Sequence, residues 1–554
     1  MTQTDLGGKV VYQIYVKSFQ DSNGDGIGDL PGITSRLDYL SDLGVDYLWL
    51  TPIYPSPQRD NGYDVADYRA INPEYGTMQD FETLCAEAEK RGIRIMLDMV
   101  FNHTSTDHEW FRRALAGEQK YLDYYIWKDG VPGTPPTNWE SKFGGSAWQW
   151  EERVGKYYLH LFDRTQADLN WENPEVRQEL FDILHFWEDK GVRAFRFDVV
   201  NLISKPDTYT DDNAGDGRRF YTDGPRIHEY LKLLNARGFG KCADVVTVGE
   251  MSSTSLENCV RYTDPAEGEL SMVFSFHHLK TDYKNGDKWQ LEPNRFGELK
   301  GLLDKWQLGM QAQNGWNAVF WCNHDQPRIV SRFGDERQYH DVSAKMLGTA
   351  IHMLRGTPYI YQGEELGMTN AHFTDIRQYK DVESTNRYRI LKDQGMPDEE
   401  IYAILGARSR DNGRTPMQWD GRAQGGFTTG TPWLAVNPNT ETINAAAEAA
   451  DPDSVLNYYR RLMALRKEYP VIQSGLYAPV EPGNPNVYAY TRTLGGETLV
   501  VACNFYAEPA RVTLPAPEGQ DARLLIGNWP EQPFAPCMTL RPYEAVVYRF
   551  APKA

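Results

Sequence analysis

The sequence predicts a (β/α)₈ barrel with a small domain inserted after its third strand and an antiparallel β-sandwich at its C-terminal end. Three observations point there. Eight short, continuously apolar runs alternate with helix-compatible stretches, the pattern of strands buried on both faces. The stretch from His103 to about Trp171, rich in Trp, Tyr, Gly and Pro, is too long for one connection. After Tyr469 apolar and polar residues alternate, as in an antiparallel sheet with one wet face.

The eight runs are VVYQIYV (Val10–Val16), DYLWLTP (Asp46–Pro52), IRIMLDMV (Ile93–Val100), VRAFRFDVV (Val192–Val200), VVTVGE (Val245–Glu250), MVFSF (Met272–Phe276), NAVFWCNHD (Asn317–Asp325) and TPYIYQGEE (Thr357–Glu365). LPGITSRLDYLSDLG and NPEVRQELFDILHFWEDKG lie between them, with apolar spacing near 3.6 and Gly at the exit. An open doubly wound sheet is the alternative, but no Gly-rich phosphate loop follows the first run. The expected boundaries are residues 1–102 and 172–470 for the barrel, 103–171 for the inserted domain and 471–554 for the C-terminal all-β domain. In the last, NVYAYTRT and ETLVVACNF flank the turn LGGET, and EAVVYRF follows. INAAAEAADPD (Ile443–Asp453) reads as a surface segment ahead of a last helix.

A chain of 554 residues exceeds one ordinary core, and its 41% apolar content is ample for two to four at roughly 150 residues each. With 58 Lys and Arg against 77 Asp and Glu the net charge is −19, which disfavours nucleic acid and anionic membranes as partners. A small anionic ligand then needs a local basic pocket working against the global field. The first twenty residues have no basic n-region or long apolar stretch, and nowhere do eighteen apolar residues run together. Six dispersed cysteines (Cys85, Cys242, Cys259, Cys322, Cys503, Cys537) form no CxxC pair, which argues against zinc or a disulfide framework. A cytoplasmic monomer is expected.

Active sites of such barrels lie at the C-terminal ends of the strands. The polar residues there are Asp98, Asn102 and His103; Arg196 and Asp198; Glu250; and His324 and Asp325. Arg196 and Asp198, two apart on one strand, share a face, and the guanidinium is expected to keep the carboxylate ionised, as a nucleophile requires. Like charge nearby is expected to raise Glu250 toward the range of a general acid. Two such carboxyl groups suit retaining glycoside hydrolysis, in which they sit about 5–5.5 Å apart. Taken singly, each is more often a helix cap or a surface charge; their joint placement at strand ends favours catalysis, though spacing alone leaves phosphoryl or aldol chemistry open.

DMVFNH (Asp98–His103), FRFDVVN (Phe195–Asn201), VGEM (Val248–Met251) and WCNHD (Trp321–Asp325), with QADLN (Gln166–Asn170), resemble the motifs of the α-amylase superfamily of glycoside hydrolases, in the same order over essentially the whole chain. The resemblance implies Asp198 as nucleophile, Glu250 as acid/base and Asp325 as the carboxylate gripping the sugar 2- and 3-hydroxyls. It also places Asp60, Tyr63, His103, Gln166, Arg196, His324 and Arg414 around the first glucose. Val199 resembles the residue of α-1,6-type and trehalose-type members, where α-1,4 enzymes usually carry Ala or Thr.

QADLNWENPEVR, DVVNLISK, DGRRFYTDGPR, TVGEMSSTSLE, SFHHLKTDY and CNHDQPRIVSRFGDE resemble, more narrowly, the bacterial trehalose-6-phosphate hydrolases. After the sixth strand the related oligo-1,6-glucosidases read F-E-H-M-D, whereas this chain reads Phe276-His277-His278-Leu279-Lys280. His277, Lys280, Lys284 and Lys288 are therefore candidate phosphate ligands, at least two of which are expected to touch phosphate. Without the resemblance, the four-residue spacing of the lysines suits a solvated helix face with Asp282 and Asp287 as partners.

In DSNGDGIGD (Asp21–Asp29), Asp21, Asn23 and Asp25 alternate as in an EF-hand, but position twelve is Gly32 rather than Glu. Oxygens of Asp21, Asn23, Asp25 and Asp29 with the Ile27 carbonyl suit a structural Ca²⁺, and the superfamily resemblance extends here; the metal-free reading is an Asx-rich turn. Phe143, Trp148 and Phe162 suit either an apolar sugar platform or the inserted domain's core; Phe143 and Phe162 match pocket positions of the relatives.

The expectation is a retaining α-glucosidase acting on a sugar phosphate, trehalose 6-phosphate, without a cofactor for catalysis. Its rivals are an oligo-1,6-glucosidase acting on neutral isomalto-oligosaccharides and a non-catalytic relative that chaperones a transporter.

Overall fold

The computed structural model describes residues 3–241 and 244–552, so Cys242 lies outside the described residues. Each apolar run holds one strand: β1 Val11–Ile14, β2 Tyr47–Leu50, β3 Arg94–Met99, β4 Ala194–Phe197, β5 Val246–Met251, β6 Met272–Ser275, β7 Ala318–Val319 and β8 Thr357–Tyr361. They form one sheet in the order β6-β5-β4-β3-β2-β1-β8-β7, the sequential order of a (β/α)₈ barrel. β7 is only two residues long, and beyond it Asn323 turns the chain by accepting the Asp325 N–H at 2.8 Å. His324 and Asp325 are thus loop residues.

Local chemistry sets the helices. Pro174–Asp189 starts where Asn173 accepts the Glu175 N–H and Pro174 occupies the first turn, and Gly191 follows it at φ 98°. Its buried face is Val176, Leu180, Phe181, Ile183, Leu184 and Trp187.

The chain divides into two compact units. Trp49–Glu89 with Arg94–Ser275 contains β3 to β6, registered in parallel with Asp98 beside Arg196 and Arg196 beside Val248. Between β3 and β4 lie the antiparallel pair His103–Ser105/Gln166–Asp168, the sheet of Trp127–Lys128, Lys156–Leu159 and Trp148–Glu151, and helices Glu109–Leu115 and Gln119–Leu122. Trp148 belongs to their core, where Trp139, Leu159 and Leu161 meet Val199, Leu202 and Tyr221 from the segment after β4.

Met1–Leu48 with Lys90–Ile93 and Phe276–Ala554 contains β1, β7 and β8 and the C-terminal β structure. A five-stranded sheet (Leu476–Val480, Val487–Leu494, Glu497–Asn504, Ala545–Ala551, Asp521–Gly527) and the pair Ala510–Thr513/Cys537–Leu540 close over one core that includes Val487, Val500, Val512, Met538, Leu540 and Tyr548. The LGGET turn is a tight hairpin: Gly495 and Gly496 take φ 59° and 86°, and Leu494 pairs with Glu497. Ala445–Ala450, inside the small-residue segment, is a helix capped by Asn444. Among the described residues no helix is long and apolar enough to cross a membrane.

Candidate active site

The register of β3, β4 and β5 decides which carboxylates meet. Arg196 stands level with Asp98 on one side and Val248 on the other, so Asp198 and Glu250, each two residues further on, rise to one level with side chains on the same face. Arg196 binds all three: Nη1 donates to Asp98 Oδ1 at 2.6 Å and Asp198 Oδ1 at 2.7 Å, and Nη2 donates to Glu250 Oε2. Asp98 Oδ2 accepts from Trp49 Nε1 at 3.1 Å and from the Tyr63 hydroxyl at 2.9 Å. Asp98 therefore anchors the guanidinium, which in turn places the other two.

Burial pushes the Asp198 carboxyl up to about 6; Arg196 opposes the rise and Asp98 adds to it. Desolvation outweighs the guanidinium in setting the value, yet Arg196 keeps it low enough for Asp198 to be ionised at pH 7. Asp98 is pushed up to about 6 by the same burial, again against Arg196. Val199 leaves the strand at φ 34°, an unusual conformation for a β-branched residue, and begins the 3₁₀ turn Val200–Leu202.

The same unit gathers most of the first-glucose positions. His103 takes the side-chain N–H of Asn102 on Nδ1 at 3.2 Å, leaving Nε2 to donate to the Tyr63 carbonyl at 3.0 Å. Burial lowers its pKa, so the ring is neutral. Gln166 donates to Asp60 Oδ2 at 3.1 Å, and Phe162 packs between His103 (5.2 Å) and Phe143 (5.7 Å). Asn102 is itself fixed by Asp168 at 3.1 Å and Lys205 at 2.7 Å. Lys205 and Asp168 escaped the sequence reading, although an invisible tertiary ion pair between them (2.7 Å) is what orients the motif.

In the other unit, His324 meets the Gln13 amide at 2.7 Å and Asp325 at 3.3 Å. Asp325 Oδ1 accepts from Arg414 Nη2 at 2.8 Å and Arg410 Nη1 at 3.3 Å. Both arginines also reach Asp381 Oδ1, at 2.5 Å from Arg410 and 3.4 Å from Arg414. Burial works against its charge, but the two guanidinium groups hold Asp381 down at about 2. Arg410, Asp381 and Gln13 were not anticipated: nothing in their local sequence separates them from surface charges.

The candidate phosphate ligands do not share a helix face. His277–Lys280 and Lys284–Gly286 are separate 3₁₀ turns, and Tyr283 pairs with Leu291 across the intervening bend. Asp282 is taken by Arg332 (2.7 Å) and Arg408 (2.5 Å), and Asp287 lies 3.8 Å from Arg387, so neither partners the lysines as a helix would require. Lys280 and Lys284 are exposed. Lys288 binds Glu383 at 2.7 Å, and Glu383 lies 3.6 Å from Arg410. His277 packs on Trp306 (5.2 Å), and burial, reinforced by Lys280 and Lys305, lowers it to about 4. It is a neutral hydrogen-bonding group at pH 7, and Lys305 is a further nearby cation that the motif comparison missed.

The loop Asp21–Asp29 is closed on its own backbone. Asp21 Oδ1 accepts from Asn23 N–H (2.9 Å) and Gly24 N–H (2.7 Å), and Oδ2 from Gly26 N–H (2.8 Å) and the Thr428 hydroxyl (2.5 Å). Asn23 and Asp25 accept from Asp25 N–H and Ile27 N–H, each at 2.8 Å, and Asp29 caps the next helix through Gly32 N–H at 2.6 Å. Among the described residues no group of three His, Cys, Asp or Glu is gathered to hold a metal. The donor set, all oxygen and with three carboxylates, nevertheless fits a hard cation in kind.

The family model described as the α-amylase catalytic domain matches residues 13–475, and that of the maltogenic amylase C-terminal domain matches residues 477–547. The chain is 57% identical over 545 residues to the trehalose-6-phosphate hydrolase of Bacillus subtilis (strain 168), covering 98% of this chain and 97% of that protein. It is 48% identical over 554 residues to an oligo-1,6-glucosidase of Halalkalibacterium halodurans, covering 97% and 98%. The solved structure of a Bacillus licheniformis trehalose-6-phosphate hydrolase superposes with a TM-score of 0.95 at 55% identity, over 99% of each chain.

Proposed function

The chain belongs to the α-amylase family of glycoside hydrolases, and from that premise we propose that it is a retaining α-glucosidase cleaving trehalose 6-phosphate to glucose and glucose 6-phosphate. Asp198 attacks the anomeric carbon of the unphosphorylated glucose while Glu250 protonates the bridging oxygen, releasing glucose 6-phosphate. Glu250, now a carboxylate, takes a proton from water, which attacks the glycosyl–Asp198 ester and frees glucose. Asp325, His324 and Arg414 grip the sugar hydroxyls, and no cofactor takes part.

The observation that carries the retaining mechanism is the one guanidinium shared by Asp198 and Glu250. A guanidinium that bridges the two carboxyl groups holds them as a close pair, the arrangement of a retaining enzyme, rather than at the about 6.5–9.5 Å by which an inverting enzyme makes room for water. The phosphate specificity is supported by the cation-rich stretch around His277, Lys280, Lys284 and Lys288 in a chain of net charge −19. Two charge-assisted hydrogen bonds, each worth about 1.5–3 kcal/mol, give roughly 10²–10⁴-fold preference for the phosphorylated sugar.

The test is kcat/KM for trehalose 6-phosphate against isomaltose and trehalose at one pH and salt. A preference of about 10² or more is expected. Equal or better turnover of isomaltose would overturn the phosphate specificity and leave an oligo-1,6-glucosidase. Two features favour that second reading: Lys288 is already paired with Glu383, and His277 is uncharged at pH 7.

We also propose that Asp21, Asn23, Asp25, Asp29 and the Ile27 carbonyl hold a structural Ca²⁺, on the strength of their oxygen chemistry. It would hold the loop and supply nothing to hydrolysis.

A further inference from the structure

One side chain stitches together the turns that follow the two proposed catalytic carboxylates. Asn201 lies three residues after Asp198, and Ser252 two residues after Glu250. The Asn201 amide donates from Nδ2 to the Ser252 carbonyl at 2.9 Å, and its Oδ1 accepts the Ser252 N–H at 2.9 Å. Nδ2 also donates to Asp223 Oδ1 at 2.9 Å, and the Asp223 N–H returns a bond to the Asn201 carbonyl at 2.9 Å. Asn201 is wholly buried and has all its amide groups satisfied.

Asp223 is the hub behind it. Its Oδ1 also accepts the Tyr262 hydroxyl at 2.7 Å, and its Oδ2 accepts Thr254 Oγ1 and Asn258 Nδ2 at 2.9 Å each. Thr254 and Asn258 belong to the segment leaving β5, so Asp223 holds that segment at two more points.

The backbone around this hub sits in conformations that persist only when the surroundings enforce them. Val199, Asp223 and Ser253, none of them glycine, take φ 34°, 50° and 54°. Val199 is held from the far side by the apolar cluster of Trp139, Trp148, Leu202 and Tyr221. Asp198 has further restraints: its N–H donates to the Met99 carbonyl at 3.0 Å, and its carboxyl lies on Arg196. Glu250 stands at the penultimate residue of β5, and the chain beyond it is tied at Ser252.

We infer that Asn201, clamped by Asp223, is a positioning residue that sets the Glu250 carboxyl against the leaving oxygen. It acts on proton delivery rather than on sugar binding. The inference rests on the retaining-glucosidase reading.

The readout is the leaving group. A 4-nitrophenyl α-glucoside departs with little help from an acid, whereas the sugar oxygen of trehalose 6-phosphate must be protonated. Asn201→Ala and Asp223→Asn are compared with the parent on both substrates, with thermal unfolding as the control. A displacement of about 1 Å costs roughly 10²-fold, so kcat/KM on trehalose 6-phosphate, which reports the step in which Glu250 acts as acid, is expected to fall about that much. The aryl glucoside is expected to lose less than about tenfold in kcat/KM, because its leaving group needs little protonation and the later step in which Glu250 acts as base does not enter that ratio. Should Asn201→Ala fail to fold, Asp223→Asn decides, since it keeps the volume and half the acceptors. Equal losses of kcat/KM on the two substrates, or no loss in the folded variants, would overturn the inference. A parent enzyme that cleaves neither substrate would overturn the glucosidase reading itself, an outcome separable from failure of the variant ratio.

Discussion

Asp198 is a carboxylate whose surroundings work against its charge, and its pKa near 6 makes two predictions about it. The first concerns rate. The group must be ionised to attack, so kcat/KM should fall about tenfold per pH unit below about 6 and be flat just above it, as measured on the free enzyme. A profile still flat at pH 4.5 would remove Asp198 as the titrating nucleophile. The second concerns stability. A carboxyl whose pKa is raised on folding contributes its stability below the unfolded value of 3.8, and that contribution is lost as pH rises through about 6. Asp198→Asn should therefore abolish hydrolysis while unfolding at pH 7 at a temperature no lower than the parent's, since Arg196 keeps Asp98 and Glu250. Residual turnover within tenfold of the parent would take Asp198 out of the mechanism.

At the scale of elements, the informative one is the stretch after β6. Its two 3₁₀ turns send the cations to different places: Lys280 is exposed, whereas Lys288 is fastened to Glu383, which lies beside Arg410, itself on Asp325. Their substitutions should therefore differ in kind. Lys280→Ala should lower kcat/KM on trehalose 6-phosphate by about tenfold or more, the loss of one charge-assisted bond, and leave isomaltose or trehalose unaffected. Lys288→Ala should lower turnover of phosphorylated and neutral sugars alike, because Glu383 is then released toward Arg410. A pure phosphate effect for Lys288→Ala would show that the Glu383–Arg410 contact carries nothing to Asp325.

Across the whole molecule, the loop Asp21–Asp29 acts over long sequence distances. Asp21 N–H reaches the Phe427 carbonyl at 3.0 Å, its carboxylate takes the Thr428 hydroxyl, and the Gly26 carbonyl accepts Trp433 N–H at 3.0 Å. A Ca²⁺ held here binds only the folded chain and stabilises it by mass action. Millimolar Ca²⁺ should raise the unfolding temperature by about 1 °C or more over the EDTA-treated protein, since about 2–4 °C per kcal/mol holds for domains of roughly 150–250 residues and larger ones move less. Identical unfolding in Ca²⁺ and EDTA would leave the loop as the Asx turn its backbone hydrogen bonds already describe.

The barrel, its strand order and the C-terminal sheets were legible because each rests on local pattern: continuous apolar runs for buried strands, alternation for a sheet with one wet face, Asn-Pro and Gly at helix ends. Asp198 and Glu250 were legible because a strand end can be counted off the chain, whereas Asp325, on the loop after β7, was legible only through the motif WCNHD. The partners of those carboxylates could not be read. Arg410, Asp381 and Gln13 around His324 and Asp325, Lys205 behind His103, and Asp223 behind Asn201 sit far from the groups they hold, and their types alone resemble ordinary surface polar residues. Charge state was equally hidden. The sequence puts Arg196 beside Asp198 but not the depth of burial that lifts the carboxyl to about 6, nor the burial that, with Lys280 and Lys305, leaves His277 neutral. By itself the sequence determined which chemical groups this protein has and on which strands they ride, because propensity and periodicity are local. Only the tertiary structure decided what each group is paired with and how much water it keeps, because desolvation and ion pairing are sums over neighbours that the chain brings together by folding.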